Sequence, residues 1–469
     1  MTEEERPHAH LIGSTQEGKS KFIEHLVRED VRRGFGACVL DPTTGAKTIY
    51  DILRWCCDKK VKKVCLIDPH ARWEYNKIVG INPFLYKKDG PSDKLKKASL
   101  INITDTIQIL FNTKDPAQTS FINRYVEAVL NCLYNASAPL SDARCFTNQA
   151  YVNQRKEVLS ASKPTDPHRI DLEEAFRNAK QFEHLQTTIN RLQGFFRDPL
   201  SAMLGVSQGV DFLQMVKEGW LILVNLDSSV DLDVMDARLL GTLIINQLLL
   251  AMDRLFYLKK NKATRFYLYV DEAGEYATRK LARAFTLKAK TGLRVTIGHQ
   301  YFGQFEDKYV VDAINALTKM KGMFNLPGRE DRDKVTKMFY GGDISDRQAS
   351  FANADLPQQH AVLKILKGGP QRVRIPDVPP ARSSDADLRE YIARIFDQPW
   401  YYNPRDVKQA HDIRYLQTDS SRTPSRKEHD READSETSVP AGLRRRRQQN
   451  LSTSNEEPQK AGERRPIKV

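Results

Sequence analysis

Gly13-Ser-Thr-Gln-Glu-Gly-Lys-Ser20 is the stretch on which the reading of this chain turns. It fits the pattern Gly-x4-Gly-Lys-Ser/Thr. Its setting is the required one, because the short apolar run His10-Leu-Ile12 leads into it and a helix-like stretch to Arg33 follows. Glycines let the backbone curl so that successive N–H groups face a phosphate, and the amino end of the next helix adds partial positive charge. In such a loop the lysine, Lys19, reaches the β and γ phosphates, and the hydroxyl of Ser20 holds Mg²⁺. The expected nucleotide-binding segment is therefore Gly13, Ser14, Thr15, Gln16, Glu17, Gly18, Lys19, Ser20 and Lys21, with ATP and Mg²⁺ as cofactors. Glu17 is unusual there: a carboxylate beside phosphates lowers affinity unless it points to solvent.

Short apolar runs alternate with amphipathic ones on either side of this loop. Ala37-Cys-Val-Leu40 and Val64-Cys-Leu-Ile67 follow it, and Leu221-Ile-Leu-Val224, Phe266-Tyr-Leu-Tyr-Val270 and Leu293-Arg-Val-Thr-Ile297 continue the series. Strand, helix, strand in sequence predicts an α/β fold with a mainly parallel sheet. From 92 to 200 the strand signal disappears, and Leu172, Phe176, Phe182, Leu185, Ile189, Leu192 and Phe196 recur at helical spacing, which predicts an all-α insertion. The expected organisation is 1–91 and 201–380 as the two parts of the nucleotide-binding domain, 92–200 as the insertion and 381–418 as a short helical appendage with Trp400-Tyr-Tyr402. A disordered basic and polar tail is expected at 419–469. Its run of arginines at 444–447 suits nucleic acid or acidic lipid.

The 469 residues carry 73 basic and 60 acidic side chains, a net charge of +13 that suits a polyanionic partner. Six cysteines, at 38, 56, 57, 65, 132 and 145, form no Cys-x-x-Cys pair, which argues against a zinc or disulfide framework. The most apolar stretches, 221–226 and 239–252, fall short of the roughly 20 apolar residues of a membrane span, and no secretion signal opens the chain. A cytoplasmic location without a transmembrane segment is expected.

The second chemical signature is Asp271-Glu272, at the end of the run Phe266-Tyr-Leu-Tyr-Val270. A parallel strand ending in two acids puts Asp271 at the carboxyl edge of the sheet, where it can hold Mg²⁺ through water, and lets Glu272 polarise the attacking water. Asp68, also at a strand end, is the weaker rival for the metal. Gln300, at the tip of the strand after the acidic pair, is placed to contact a γ-phosphate and sense its loss; His299 is the less favoured neighbour.

Taken together these residues resemble the FtsK/HerA superfamily of ring-forming ATPases, and within it the conjugative coupling proteins of the TraD/TraG/VirD4 kind and the VirB4-like ATPases of type IV secretion. The resemblance covers roughly residues 8 to 375. It also takes in Val39-Leu-Asp-Pro-Thr-Thr-Gly45, Gly80-Ile-Asn-Pro-Phe84, Thr188-Ile-Asn-Arg-Leu192, Val224-Asn-Leu226 and Gly292-Leu-Arg-Val-Thr-Ile-Gly-His-Gln300 followed by Gln304. What the resemblance implies is a RecA-like core assembled into a homo-hexamer, nucleotide between subunits and DNA or a protein–DNA complex in the central channel. The chain departs from the family in three ways. The phosphate loop comes almost at once, which implies either a separate membrane or adaptor protein, with recruitment to the inner membrane face, or a true start further upstream. Lys288-Ala-Lys-Thr-Gly292 lacks the family's Arg-Lys, leaving Lys290, Arg294 and Arg329 as candidates for the charge given to a neighbour's phosphates. Glu17 is the third. The leading expectation is a DNA-translocating ATPase. An ATPase energising protein secretion and a nucleotide-gated scaffold are the alternatives.

Overall fold

The computed structural model describes residues 7–84, 93–110, 116–147, 151–276, 281–282, 284–285, 289–305, 307–326, 328–340, 345, 355–365 and 368–416. The expected tail, with its arginine run, lies outside them.

The apolar runs form the centre of a nine-stranded sheet. Its strands are β1 (Ala9–Ile12), β2 (Gly36–Asp41), β3 (Val64–Ile67), β5 (Leu221–Asn225), β6 (Phe266–Val270), β7 (Leu293–His299), β8 (Met320–Met323), β9 (His360–Ile365) and β10 (Gln371–Arg374), in the order β10-β9-β8-β1-β7-β6-β2-β5-β3. From β8 to β3 all neighbours are parallel; β9 and β10 add antiparallel strands at the other edge. The central strands β1, β2, β5 and β6 are buried along their whole length, as strands covered by helices on both faces must be. Parallel strands turn all their carboxyl ends to one edge, so the residues after Ile12, Asp41, Val270 and His299 meet there although they are far apart in sequence.

Helix α1 (Lys19–Arg32) and helix α2 (Lys47–Lys59) follow the first two strands and bury Phe22, Ile23, Leu26 and Val27, and Ile49, Ile52, Leu53 and Cys56, as their helical spacing dictates. Among the described residues no strand occurs between β4 (Ile78–Val79) and β5, where helices such as Pro116–Ala136, Pro167–Arg177 and Ala179–Asn190 lie.

The apolar stretch at 239–252 is part of a longer helix, Val234–Leu258, that reaches 25 residues and is long and apolar enough to cross a membrane, yet its most apolar window is 89% buried inside the protein. Residues 381–416 do not hang from the core. β11 (Tyr401–Tyr402) pairs with β4, the Tyr401 hydroxyl takes the Leu66 N–H at 2.9 Å and donates to the Leu66 carbonyl at 3.0 Å, and Asp58 accepts from the backbone N–H groups of Arg382 and Ser383. The segment thus seals the β3 side of the sheet, and Trp400-Tyr-Tyr402 reads as an appendage in sequence only because its partners lie over three hundred positions away.

Candidate functional site

The phosphate loop is anchored by the strands that flank β1. Gly13 N–H donates to the His299 carbonyl at the end of β7 (3.2 Å), and Ser14 N–H to the Asn325 carbonyl just past β8 (2.9 Å). Gln16 and Gly18 have φ of 64° and 103°, the left-handed region that bends the loop over the start of α1, and Gly18 adopts it at no steric cost. No side chain caps that helix start, so its first N–H groups are left for an anion. Lys19 is 5% exposed and folds back over the loop, donating to the carbonyls of Gly13 (2.7 Å) and Ser14 (3.3 Å).

The acidic pair stands opposite. Ser20 Oγ donates to Asp271 Oδ2 at 2.7 Å across 251 residues of sequence, while Asp271 Oδ1 accepts the Glu272 N–H at 3.0 Å. Gly298 makes room for this carboxylate: a Cβ there would lie 2.8 Å from Asp271 Oδ1. Asp271 is 2% exposed, and burial, with Asp41 and Glu272 nearby, pushes its carboxyl up to about 6 against the pull of Ser20 and Lys19. Asp41 ends β2 and is itself raised by burial although Thr43 and the Thr48 N–H donate to it. Asp271 and Glu272 share one buried ammonium, and Asp41 lies near enough to raise Asp271, a deficit of positive charge that a divalent cation would correct. Among the described residues no cluster of three or more His, Cys, Asp or Glu is arranged to hold a metal by itself. The donors present, one hydroxyl and one carboxylate, suit Mg²⁺, which shares its coordination with water and phosphate.

Glu272 occupies the left-handed region, φ 45° and ψ 50°, uncommon for a side chain of its size. Its carboxylate is clamped: Gln300 Nε2 donates to Oε1 at 2.9 Å, Gln304 Nε2 to Oε2 at 3.1 Å, and Lys19 lies 3.9 Å away. Gln304 Oε1 in turn accepts the Gln300 N–H at 2.8 Å, so the two glutamines hold one another as well as the acid.

The structure thus brings together Lys19, Ser20, Asp271, Glu272 and Gln300. It separates others. The Lys21 ammonium pairs with Glu24 (2.8 Å) and Asp51 (2.6 Å), so only its backbone belongs to the loop. Asp68 sits at the far edge of the sheet, where Tyr50 (2.6 Å) and Asn225 (3.1 Å) donate to it. Lys290 and Arg294 lie at the amino end of β7, the opposite edge from Asp271, whereas Arg329 is exposed at the start of a helix that follows β8. His299 is fully buried, stacked on His10 of β1 with their Nε2 atoms hydrogen-bonded, beneath the loop rather than in it. Glu17 does not point to solvent: Asn325 Nδ2 donates to its Oε2 at 3.0 Å, and Asn325 is fixed by both backbone groups of Leu356. His10 and Asn325 had no motif to mark them; Asp41 stands at a strand end in the stretch Val39-Leu-Asp-Pro-Thr-Thr-Gly45 that carries the resemblance, but that stretch assigns it no role.

Fold and loop together define a P-loop NTPase. No family model matches the sequence, and no curated protein matches it. Solved structures do. The unbound bacterial conjugative coupling protein TrwB is 14% identical over 82% of this chain and 88% of its own, with a TM-score of 0.59. TrwB in complex with ADP and Mg²⁺ is 16% identical over 82% of this chain and 89% of its own, with a TM-score of 0.55. VirB4 of Thermoanaerobacter pseudethanolicus aligns over 81% of this chain at 13% identity and a TM-score of 0.49. At these identities the likeness to TrwB establishes the fold.

Proposed function

We propose that this chain is an ATP-hydrolysing ring motor that translocates DNA, or a protein–DNA complex, in a conjugative or type IV secretion system. The hydrogen bond from Ser20 to Asp271, which closes the phosphate loop on the acidic strand end, carries the ATPase part of this reading. The conjugative setting is supported by TrwB, whose solved complexes include ADP with Mg²⁺ and a non-hydrolysable ATP analogue.

In this reading Lys19 exchanges the Gly13 and Ser14 carbonyls for the β and γ phosphates, and the uncapped start of α1 receives the phosphate oxygens. Mg²⁺, held by Ser20 and through water by Asp271, would supply positive charge to the phosphate oxygens. Glu272 orients the attacking water and accepts its proton, at an angle fixed by Gln300 and Gln304. Gln300 is the residue that feels the γ-phosphate, and through its amide it reports to Glu272. A homo-hexamer would place Lys290, Arg294 or Arg329 of a neighbour near the phosphates, with DNA in the channel and a separate membrane or adaptor protein delivering the substrate. The net charge of +13 suits the DNA.

The test is ATP hydrolysis by the purified chain with and without single- and double-stranded DNA at low and moderate salt, beside Lys19→Ala. Stimulation that weakens as salt rises, and its loss in Lys19→Ala, is the expected result. Hydrolysis indifferent to both DNAs favours a secretion ATPase. Turnover far below about 1 per second favours a nucleotide-gated scaffold.

A further inference from the structure

The edge of the sheet opposite the phosphate loop carries, besides Lys290 and Arg294, charge that the proposed nucleotide site does not use. In five neighbouring strands the first residues lie in register: Leu293 pairs with Phe266, Phe266 with Gly36, Ala37 with Leu221 and Leu221 with Val64. The turns entering these strands therefore leave the sheet along one line, roughly 20 Å long at about 4.8 Å per strand. The turn into β3 carries Lys59, Lys60, Lys62 and Lys63, that into β2 carries Arg32 and Arg33, and that into β6 carries Lys259, Lys260 and Lys262, all exposed.

Acids near these turns are engaged. Glu29 pairs with Arg32, Asp58 accepts the Arg382 and Ser383 N–H groups, and Glu218 accepts from Trp220 Nε1 at 2.9 Å and from Gln214. Beside the β6 lysines, at the end of helix Val234–Leu258, Tyr257 and Leu258 are 74% and 64% exposed. Lys260 and Asn261 follow in the left-handed region, φ 52° and 65°, which fixes this turn as a tight reversal.

We propose that this edge docks on an anionic membrane surface, with Tyr257 and Leu258 entering the headgroup layer and the flanking lysines on lipid phosphates. The pairing of exposed apolar and cationic side chains decides for a membrane over a duplex. An aromatic and an aliphatic side chain gain free energy at the boundary of headgroups and acyl chains, whereas a duplex phosphate backbone gives them nothing. All but two of these cations are lysines, point charges that answer a diffuse surface potential, where paired phosphate recognition favours the guanidinium fork. The nucleotide site is at the other end of the same strands, so docking leaves it open. This inference does not rest on DNA translocation.

The experiment is co-sedimentation of the full-length chain with phosphatidylethanolamine–phosphatidylglycerol vesicles, phosphatidylcholine vesicles as control, and duplex DNA binding measured in parallel. The expected result is binding to the anionic but not the phosphatidylcholine vesicles, weakening as salt rises. Lys59→Gln/Lys60→Gln/Lys62→Gln loses on the order of 100-fold in partitioning, and Tyr257→Ser/Leu258→Ser loses roughly tenfold. Both keep the wild-type thermal midpoint and basal ATP hydrolysis, and both retain the basic tail. Wild type that ignores anionic vesicles overturns the proposal, as does vesicle binding that survives both variants, since the tail or another face then carries it. Loss of DNA binding with vesicle binding intact also overturns it and makes the edge a nucleic-acid surface.

Discussion

Acid is expected to destabilise this chain from the floor of its phosphate loop. His299 is fully buried, and burial, reinforced by the Lys19 ammonium and only partly opposed by its hydrogen bond to the Tyr301 carbonyl, lowers its pKa from 6.5 to about 3. His8 is lowered to about 4 by burial and by Arg294, with Lys319 adding to it. His10 is lowered by burial, His299 and Lys321. A histidine depressed in the folded state refuses a proton that the unfolded chain accepts, so stability is intact above about pH 6.5 and falls as pH drops below it, until the folded pKa is reached. At about pH 5 the difference amounts to about 2 kcal/mol for His299 and a similar amount for His8, with His10 adding in the same direction. Against a total stability of about 5–15 kcal/mol that is a large loss. The assay is urea unfolding of the nucleotide-free chain, followed by tryptophan fluorescence, at about pH 7.5 and about pH 5. His299→Gln keeps a polar group for His10 and cannot titrate, so its stability is expected to fall by about 2 kcal/mol less than wild type between the two conditions. Because the His299 carbonyl receives the Gly13 N–H, nucleotide affinity of the wild type is expected to weaken in parallel. Equal acid losses in wild type and His299→Gln would refute the reasoning.

Glu272→Gln is expected to retain nucleotide binding while hydrolysis drops about 10²- to 10⁴-fold, read as ATP turnover against fluorescent nucleotide titration; unchanged turnover would move the general base elsewhere. Gly298→Ala places a Cβ 2.8 Å from Asp271 Oδ1, so the carboxylate must shift and its bond to Ser20 loosen, with Mg²⁺-dependent nucleotide affinity falling about tenfold and Mg²⁺-free affinity changing little. Glu17→Gln removes a charge beside the phosphates while keeping an oxygen for Asn325, and a several-fold gain in ATP affinity that shrinks as salt rises is expected by titration. A loss of affinity would mean that the carboxylate serves the loop.

The sequence by itself was enough for whatever is settled within a few residues. Gly13 to Ser20 fix a loop between strand and helix, because glycine geometry, the lysine and the helix start are all local. The mainly apolar runs at β1, β2, β3, β5, β6 and β7 declare buried parallel strands for the same reason. β8, β9 and β10 carry weaker signals, since Met320–Met323 contains a lysine and a glycine, the short apolar run of His360–Ile365 is interrupted by Lys364, and β10 is mostly exposed. Strand order was the property that only tertiary structure could decide, and the site depends on it. Because β7 lies between β1 and β6, the tip of β7 brings Gln300 and Gln304 to Glu272, His299 under Gly13 and Gly298 against Asp271. A motif can nominate Asp271-Glu272 from its position after a strand. It cannot disclose that Ser20 holds one acid and two glutamines the other, because those bonds join residues 28 to 251 positions apart and form only once the sheet has set its strands side by side.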